Sequence, residues 1–293
     1  MPVPTPSSVL EHAAAAVESD GRAVLCHVVR TEGSTPGKPG WKLVVRGDGS
    51  AYGNLGGGAF EALVKTDAAA RLGGGTGTGT SSASAEIKRY YFTETAVKGE
   101  PTGMVCGGLA EVLLEVMVAP PVLLVCGGGP VGQALARAGD LAGFQVLVAE
   151  DRPEFRDPAL FPEATRTVEV DRDWSGDFLA PWTGRELHAA VVTRCWETDT
   201  AALAGIVGQA PPGLAYLGLM GSRRKVERVL AELELRDVPI ADFDLHAPIG
   251  LPIGGDTPGE IAISILAEVL QERHAARGDE ETPTHPEPEV SHA

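Results

Sequence analysis

The sequence predicts an α/β protein in which a smaller α+β N-terminal domain precedes a C-terminal Rossmann-like domain built on a parallel sheet. Three observations carry this. From residue 120 onward apolar strand-like runs alternate with helical segments, the signature of a doubly wound parallel sheet. The first of those strand-to-helix turns reads Gly127-x-Gly129-x-x-Gly132, and glycines at that spacing give a tight turn and close backbone approach to a phosphate. Before residue 119 the texture differs, with short strands, a hairpin and glycine loops, and Ala119-Pro120-Pro121 breaks the pattern as a linker does. The expected division is residues 1–119, then 120–275, then an acidic disordered tail over 276–293.

Taken in order, Val9–Glu18 reads as a short amphipathic helix entered from Ser7 or Ser8 as N-cap. Arg22–Arg30 brackets seven largely apolar residues and reads as a strand. Gly33–Gly40 must be a loop, since two prolines and three glycines oppose regular pairing. Trp41–Val45 and AYGNL flank RGDGS, a hairpin with Asp48-Gly49 in its turn. A glycine turn, Gly56-Gly57-Gly58, opens a helix that carries Glu61. Residues 73–84 are low-complexity and read as a surface insertion. EIKRYYFTE is a strand, and MVCGGLAEVLLEVMV is a glycine turn leading into another. In the second domain PVLLVCGGGPVGQALARAGDLAGFQVLVAED is strand, turn, helix, strand. His188–Cys195 and Leu214–Gly221 are further strands, followed by helices near Thr200–Val207 and from Ser222. GEIAISILAEVLQERHAA closes the domain as a helix.

Composition removes several function classes. The 293 residues carry a formal charge of −16, and such a surface repels phosphate backbones and anionic lipid, so neither nucleic acid nor a membrane is an expected partner. No apolar run approaches the roughly 20 residues that span a bilayer, and no secretory signal is visible. Cys26, Cys106, Cys126 and Cys195 are widely spaced with no C-x-x-C pair, a poor zinc or disulfide pattern. A reducing cytoplasm is the expected compartment. Twenty of the 37 glycines fall in five clusters, 53–58, 73–79, 103–108, 127–132 and 250–259, which marks sharp turns or places where a ligand meets bare backbone.

Candidate sites follow from those clusters. Gly127, Gly129 and Gly132 make a phosphate cradle at a helix N-terminus, and Glu150-Asp151 ends the next strand where an acid can hold a ribose hydroxyl. Asp151 is taken as that acid. Ser222, Arg223, Arg224 and Lys225 follow a strand at the ligand edge and form an anion grip; the alternative is a solvated helix start. Gly254, Gly255 and Asp256 precede Thr257-Pro258, an N-cap with proline at N1. Cys106 lies between a valine and Gly107-Gly108, open between an inert thiol and a reactive one. Cys26 and Cys126 read as core, His27 as a partly buried strand residue, and His246 as the histidine nearest a ligand loop. No nucleophile elbow, metalloprotease or Walker motif is present.

RTEGSTPGKPG, GNLGGGAFE, GMVCGG-x-AEVLLE, CGGGPVGQALA, EDRPEF, LGLMGSRRK and APIGLPIGGDTPGEIAISILAE follow one another in that order between about residues 22 and 272. This series resembles the xanthine dehydrogenase accessory protein family (XdhC/CoxI). The resemblance implies a cytoplasmic chaperone that holds the molybdenum cofactor, a molybdopterin with or without a nucleotide. It also implies cofactor sulfuration with a cysteine desulfurase, delivery to an apo molybdenum hydroxylase, and a homodimer. By resemblance Cys106 becomes the thiol that contacts molybdenum or sulfur. Gly56, Gly57, Gly58 and Glu61 become walls of the cofactor site, together with Gly127–Gly132, Ser222–Lys225 and Gly254–Asp256. A carrier is expected rather than an enzyme; the alternative is an NAD(P)-dependent oxidoreductase using Gly127–Gly132. Trp196 stands where family members often show histidine, and Gly255 where alanine is common.

Overall fold

A computed structural model describes residues 5–73, 84–92, 100–101, 107–182, 184–209 and 211–277. The first element is helix α1 (Pro6–Asp20). Its N-cap is Thr5, two or three residues earlier than the serines suggest, because Pro6 lacks the N–H that a first helical residue would leave unpaired. The Thr5 hydroxyl accepts from the Ser8 N–H at 3.3 Å. Strand β1 (Arg22–Glu32) is followed by β2 (Lys42–Arg46) and β3 (Ala51–Gly53), then by α2 (Gly58–Gly73). Strands β4 (Ser84–Tyr91), β5 (Glu100–Pro101) and β6 (Leu109–Val118) complete a six-stranded sheet in the order β3-β2-β1-β6-β4-β5. All its neighbours are antiparallel except β4 and β5.

Alternation along β1 sorts its side chains to two faces. Ala23 and Leu25 pack with Val44 under α1, against Val9, Ala13 and Ala16. Val24, Cys26 and Val28 face the other way, onto Phe60, Val64, Ala68 and Leu72 of α2. Burial pushes the Cys26 thiol up to about 12, so it is an inert core residue.

The chain then crosses Ala119–Pro121 into a second sheet. Its elements are β7 (Val122–Cys126), α3 (Pro130–Leu141), β8 (Gln145–Glu150), β9 (Arg166–Glu169), β10 (Leu187–Val191), α4 (Trp196–Gln209), β11 (Leu214–Leu219), α5 (Arg223–Leu235), β12 (Leu245–His246) and α6 (Pro258–Arg277). The order is β12-β11-β10-β7-β8-β9, and every pair is parallel. This is the Rossmann order, with its topological switch between β7 and β10. Both inner strands are buried throughout, as a sheet covered on both faces requires. Ala202, Leu203 and Ile206 of α4 and Val229 of α5 cover one face. Leu135 of α3 and Ile265 and Val269 of α6 cover the other.

Several sequence-based boundaries move: the first helix spans Pro6–Asp20 rather than Val9–Glu18, the first strand runs on to Glu32, and the strand expected over Leu214–Gly221 ends at Leu219. The strand expected over His188–Cys195 ends at Val191, and helix α4 begins at Trp196 rather than near Thr200. Strands β9 and β12, four and two residues long, carry too short an alternation to be read and exist through pairing with a longer neighbour. At the junction the Ala119 N–H donates to Gly21 O (2.8 Å), and Arg185 donates to Pro120 O (2.8 Å).

Candidate functional site

The turn after β7 is shaped by steric need. A Cβ on Gly132 would stand 1.8 Å from the Gly127 carbonyl oxygen, and one on Gly128 2.2 Å from that of Phe155. Gly129, the N-cap of α3, differs: a Cβ there meets nothing within 4 Å. The open space thus lies at a 12-residue helix's N-terminus, where partial positive charge favours an anion.

The end of β8 closes one side. Glu150 is 2% exposed and accepts the Gly128 N–H at 2.7 Å. Arg152 grips the same carboxylate, Nε to Oε1 at 2.9 Å and Nη2 to Oε2 at 3.0 Å, with its guanidinium 4.0 Å over the Phe155 ring. Asp151 receives both terminal nitrogens of Arg194, at 2.6 and 2.7 Å, and that guanidinium holds its carboxyl well below the usual range. Glu150, rather than Asp151, therefore holds the glycine turn. The signal for it is its place as the last residue of an apolar strand.

Beyond β10, the fully buried Asp199 accepts the Thr193 hydroxyl at 2.6 Å. Lys225 places its ammonium 2.5 Å from the other Asp199 oxygen and donates to Met220 O at 3.1 Å. Burial raises the Asp199 pKa, against the pull of Lys225 and Thr193. Of the anion grip read from the sequence, Lys225 is thus committed inward, while Arg223 and Arg224 are exposed. Ser222 caps α5 by accepting the Lys225 N–H at 3.3 Å. Cys195 is half-buried, 3.2 Å from the Thr198 hydroxyl, and the guanidinium of Arg228 lies 3.8 Å over Trp196.

The last glycine loop is organised from α6. Glu260 accepts the Asp256 and Thr257 N–H groups at 3.1 and 2.9 Å, and its own N–H donates to the Thr257 hydroxyl at 3.3 Å, a capping box. Gly254 and Gly255 both have positive φ. Glu268 anchors the loop's start, accepting from the Gly250 N–H (2.8 Å) and from the Tyr216 hydroxyl on one oxygen. His246 stacks on Tyr216 with centroids 4.5 Å apart. Nothing in the sequence pattern of α6 marks Glu268 as this anchor.

In the first domain three loops meet. A Cβ on Gly108 would stand 2.2 Å from Ser34 O, and one on Gly56 2.5 Å from the Pro36 carbonyl carbon. Glu61 accepts the Leu55 and Gly57 N–H groups at 3.0 and 3.3 Å and pairs with Lys65 at 2.8 Å. Burial opposes its ionisation, but Lys65 and the two amides outweigh that and lower its pKa. Gly56, Gly57 and Gly58 all have positive φ. Cys106 lies outside the described residues, as do residues 74–83 of the insertion expected over 73–84 and residues 278–293 of the tail expected from 276; Gly73 instead ends α2, Ser84 begins β4, and α6 continues through Arg277, while Gly107 and Gly108, which follow Cys106, are bonded to Phe92.

The expected site residues therefore fall into two groups. Gly127, Gly129, Gly132, Asp151, Ser222, Arg223, Arg224 and Lys225, with Gly254–Asp256, follow the carboxyl ends of parallel strands, where open α/β sheets bind ligands. Gly56–Gly58 and Glu61 belong to the loop cluster beyond the end of β1. Among the described residues no hydrogen bond or ion pair joins the two groups.

Comparison with protein families matches residues 123–269, half of the chain, to the XdhC Rossmann domain. This chain belongs to the XdhC family. The XdhC and CoxI family also matches over residues 16–81. Uncharacterized protein YqeB of Escherichia coli (strain K12) is 32% identical over 284 residues, 95% of this chain and 49% of that protein. A probable xanthine dehydrogenase subunit from Bacillus subtilis (strain 168) is 32% identical over 154 residues, 52% of this chain and 43% of that protein. The XdhC-family chain thus spans less than half the length of these two relatives. A crystal structure of a xanthine dehydrogenase from Bacillus halodurans is 19% identical with a TM-score of 0.46, covering 97% of this chain and 98% of that one. Among the described residues of this XdhC-family protein, no helix is long and apolar enough to cross a membrane, and no three His, Cys, Asp or Glu side chains are grouped to hold a metal.

Proposed function

We propose that this XdhC-family chain is an accessory protein that holds the molybdenum cofactor for a xanthine dehydrogenase-type molybdenum hydroxylase. The observation that supports it is the open backbone at Gly129 on the α3 N-terminus, at the switch between β7 and β10. A pterin phosphate fits that cradle, since unpaired N–H groups and the helix dipole favour a compact anion, and Arg223 and Arg224 are exposed on the same sheet edge. Bound cofactor supplies the metal-centred redox chemistry of the enzyme that finally receives it; the carrier's residues supply binding, shielding and orientation. Cys106, two positions before Gly108 in the chain, is the proposed thiol toward molybdenum or its sulfur, because a soft thiolate suits that metal. Gly56–Gly58 and Glu61 are the proposed backbone wall of the same site. An apo hydroxylase, a cysteine desulfurase and a second copy of the chain are the proposed partners, in the cytoplasm.

The test is anaerobic purification after co-expression with the cofactor pathway, followed by molybdenum analysis and fluorescence detection of oxidised pterin. Wild type is expected to carry both, and Cys106→Ala to keep pterin while losing sulfurated metal. A protein that retains no pterin under these conditions defeats the reading. The other reading, an NAD(P)-dependent oxidoreductase, rests on the Gly127–Gly132 turn; saturable nicotinamide binding without pterin binding would favour it.

A further inference from the structure

A Rossmann sheet that binds NAD places a free acid at the tip of its second strand, where the carboxylate accepts hydrogen bonds from the ribose hydroxyls, whereas one that binds NADP sets an arginine there against the 2′-phosphate. Here the tip of β8 is Glu150, and its acceptor capacity is already used. A carboxylate offers about four lone-pair directions. On Glu150 they receive the Gly128 N–H (2.7 Å), Arg152 Nη2 (3.0 Å), Arg152 Nε (2.9 Å) and the Arg152 backbone N–H (3.1 Å). The next acid, Asp151, is spent on the two-pronged pair with Arg194. Arg152 is further fixed by the Phe155 ring beneath it. The Gly128–Glu150 bond ties the tip of β8 to the glycine turn after β7, and the Asp151–Arg194 pair ties it to the loop after β10.

We propose that the Glu150–Arg152 and Asp151–Arg194 pairs close the ribose subsite, so that this Rossmann crevice rejects NAD(H) and takes a compact ligand by its phosphate alone. NAD(H) would have to break two-pronged, charge-assisted bonds, which are about twice as strong as neutral ones, to reach either acid. The phosphate position at Gly129 is untouched by this closure, since nothing occupies the space over it. The inference rests on the proposal that the crevice is the ligand site, and it adds which ligand class fits.

The experiment is titration of the full chain with NADH, read by nicotinamide fluorescence and calorimetry. Wild type should show no saturable binding up to on the order of 1 mM. The double variant Arg152→Ala/Arg194→Ala frees both carboxylates and should bind NADH at least about tenfold more tightly. Thermal unfolding establishes that the variant is folded; if it is not, Arg194→Gln, at the solvent edge, carries the test and should show the smaller gain. Micromolar NADH binding by wild type overturns the proposal. So does a folded variant that gains nothing. Pterin retention by wild type is scored separately, so its absence would defeat the accessory-protein reading while the nicotinamide titration still decides this one.

Discussion

Lys225 turns its ammonium away from solvent and sets it 2.5 Å from Asp199, a carboxylate with no exposed surface. The pair ties the start of α5 to the first turn of α4 beneath the ends of β10 and β11. It also explains the glycine before it: a Cβ on Gly221 would press on the Lys225 chain at 2.8 Å.

Removing the lysine should therefore damage the fold more than any ligand. Lys225→Met leaves a buried, uncompensated carboxylate, which costs about 3–5 kcal/mol, whereas Arg223→Ala on the exposed first turn should stay within about 0.5 kcal/mol. Urea unfolding of both variants checks this. The pH dependence has a definite sign. The folded-state pKa of Asp199 is raised by burial, so the fold holds its proton more readily than the unfolded chain does. That contribution is present below the ordinary carboxylate pKa and is lost as pH rises through the raised folded value. The deficit of Lys225→Met should accordingly shrink as pH falls into the acid range.

Two glycines of one turn should separate stability from binding. Gly132→Ala drives a methyl into the Gly127 carbonyl and should abolish soluble folded protein or lower its melting point sharply. Gly129→Ala enters open space at φ −68 and should cost no more than about 1 kcal/mol as an N-cap change. Pterin retention by Gly129→Ala should nevertheless fall, because the methyl stands where the phosphate approaches. Equal retention by wild type and a folded Gly129→Ala would remove Gly129 from the site.

Glu61 organises the first-domain loops, so Glu61→Ala should cost about 1–3 kcal/mol through the loss of charged hydrogen bonds to Leu55 and Gly57. Its pKa is lowered in the fold. The stability it supplies is therefore present above the unfolded carboxylate value and disappears as pH falls through the lower folded value. Wild type and Glu61→Ala should converge in acid denaturation, and a constant gap down to the acid limit would contradict this role.

Tyr216→Phe tests the anchor of the last glycine loop. The hydroxyl is lost from a residue 3% exposed, and Glu268 keeps its bond to the Gly250 N–H. A loss of about 1 kcal/mol is expected. Glu268→Ala frees both donors at once and should cost more, with faster amide exchange at Gly250 and Leu251 as the local readout.

Helix starts are largely legible in the sequence because their signals are local. Thr257, Pro258 and Glu260 lie within one turn of each other, and the capping box they form needs no distant partner. The same is true of Ser222 before α5 and of Gly127–Gly132 after an apolar strand. Thr5 is harder to pick out for a local reason too, since three hydroxyl residues compete and Pro6 decides between them. The short edge strands β9 and β12 are not legible, because two to four residues acquire strand geometry only from the neighbour that bonds them.

The amino-acid order by itself determined the alternation of buried strands and helices, the glycine turns at strand ends, and the family to which the chain belongs. Those properties depend on residue spacing along a few turns of backbone. The tertiary structure decided which charges are free. Arg223, Arg224 and Lys225 are consecutive and alike in sequence, yet only Lys225 reaches Asp199, 26 positions away, and burial there makes the pairing obligatory. In the same way Asp151 and Glu150 are adjacent acids, but the alternation of β8 puts one beneath the glycine turn and the other against Arg194. Long-range pairing of charges inside a low-dielectric interior is set by where strands end in space, and no local pattern encodes it.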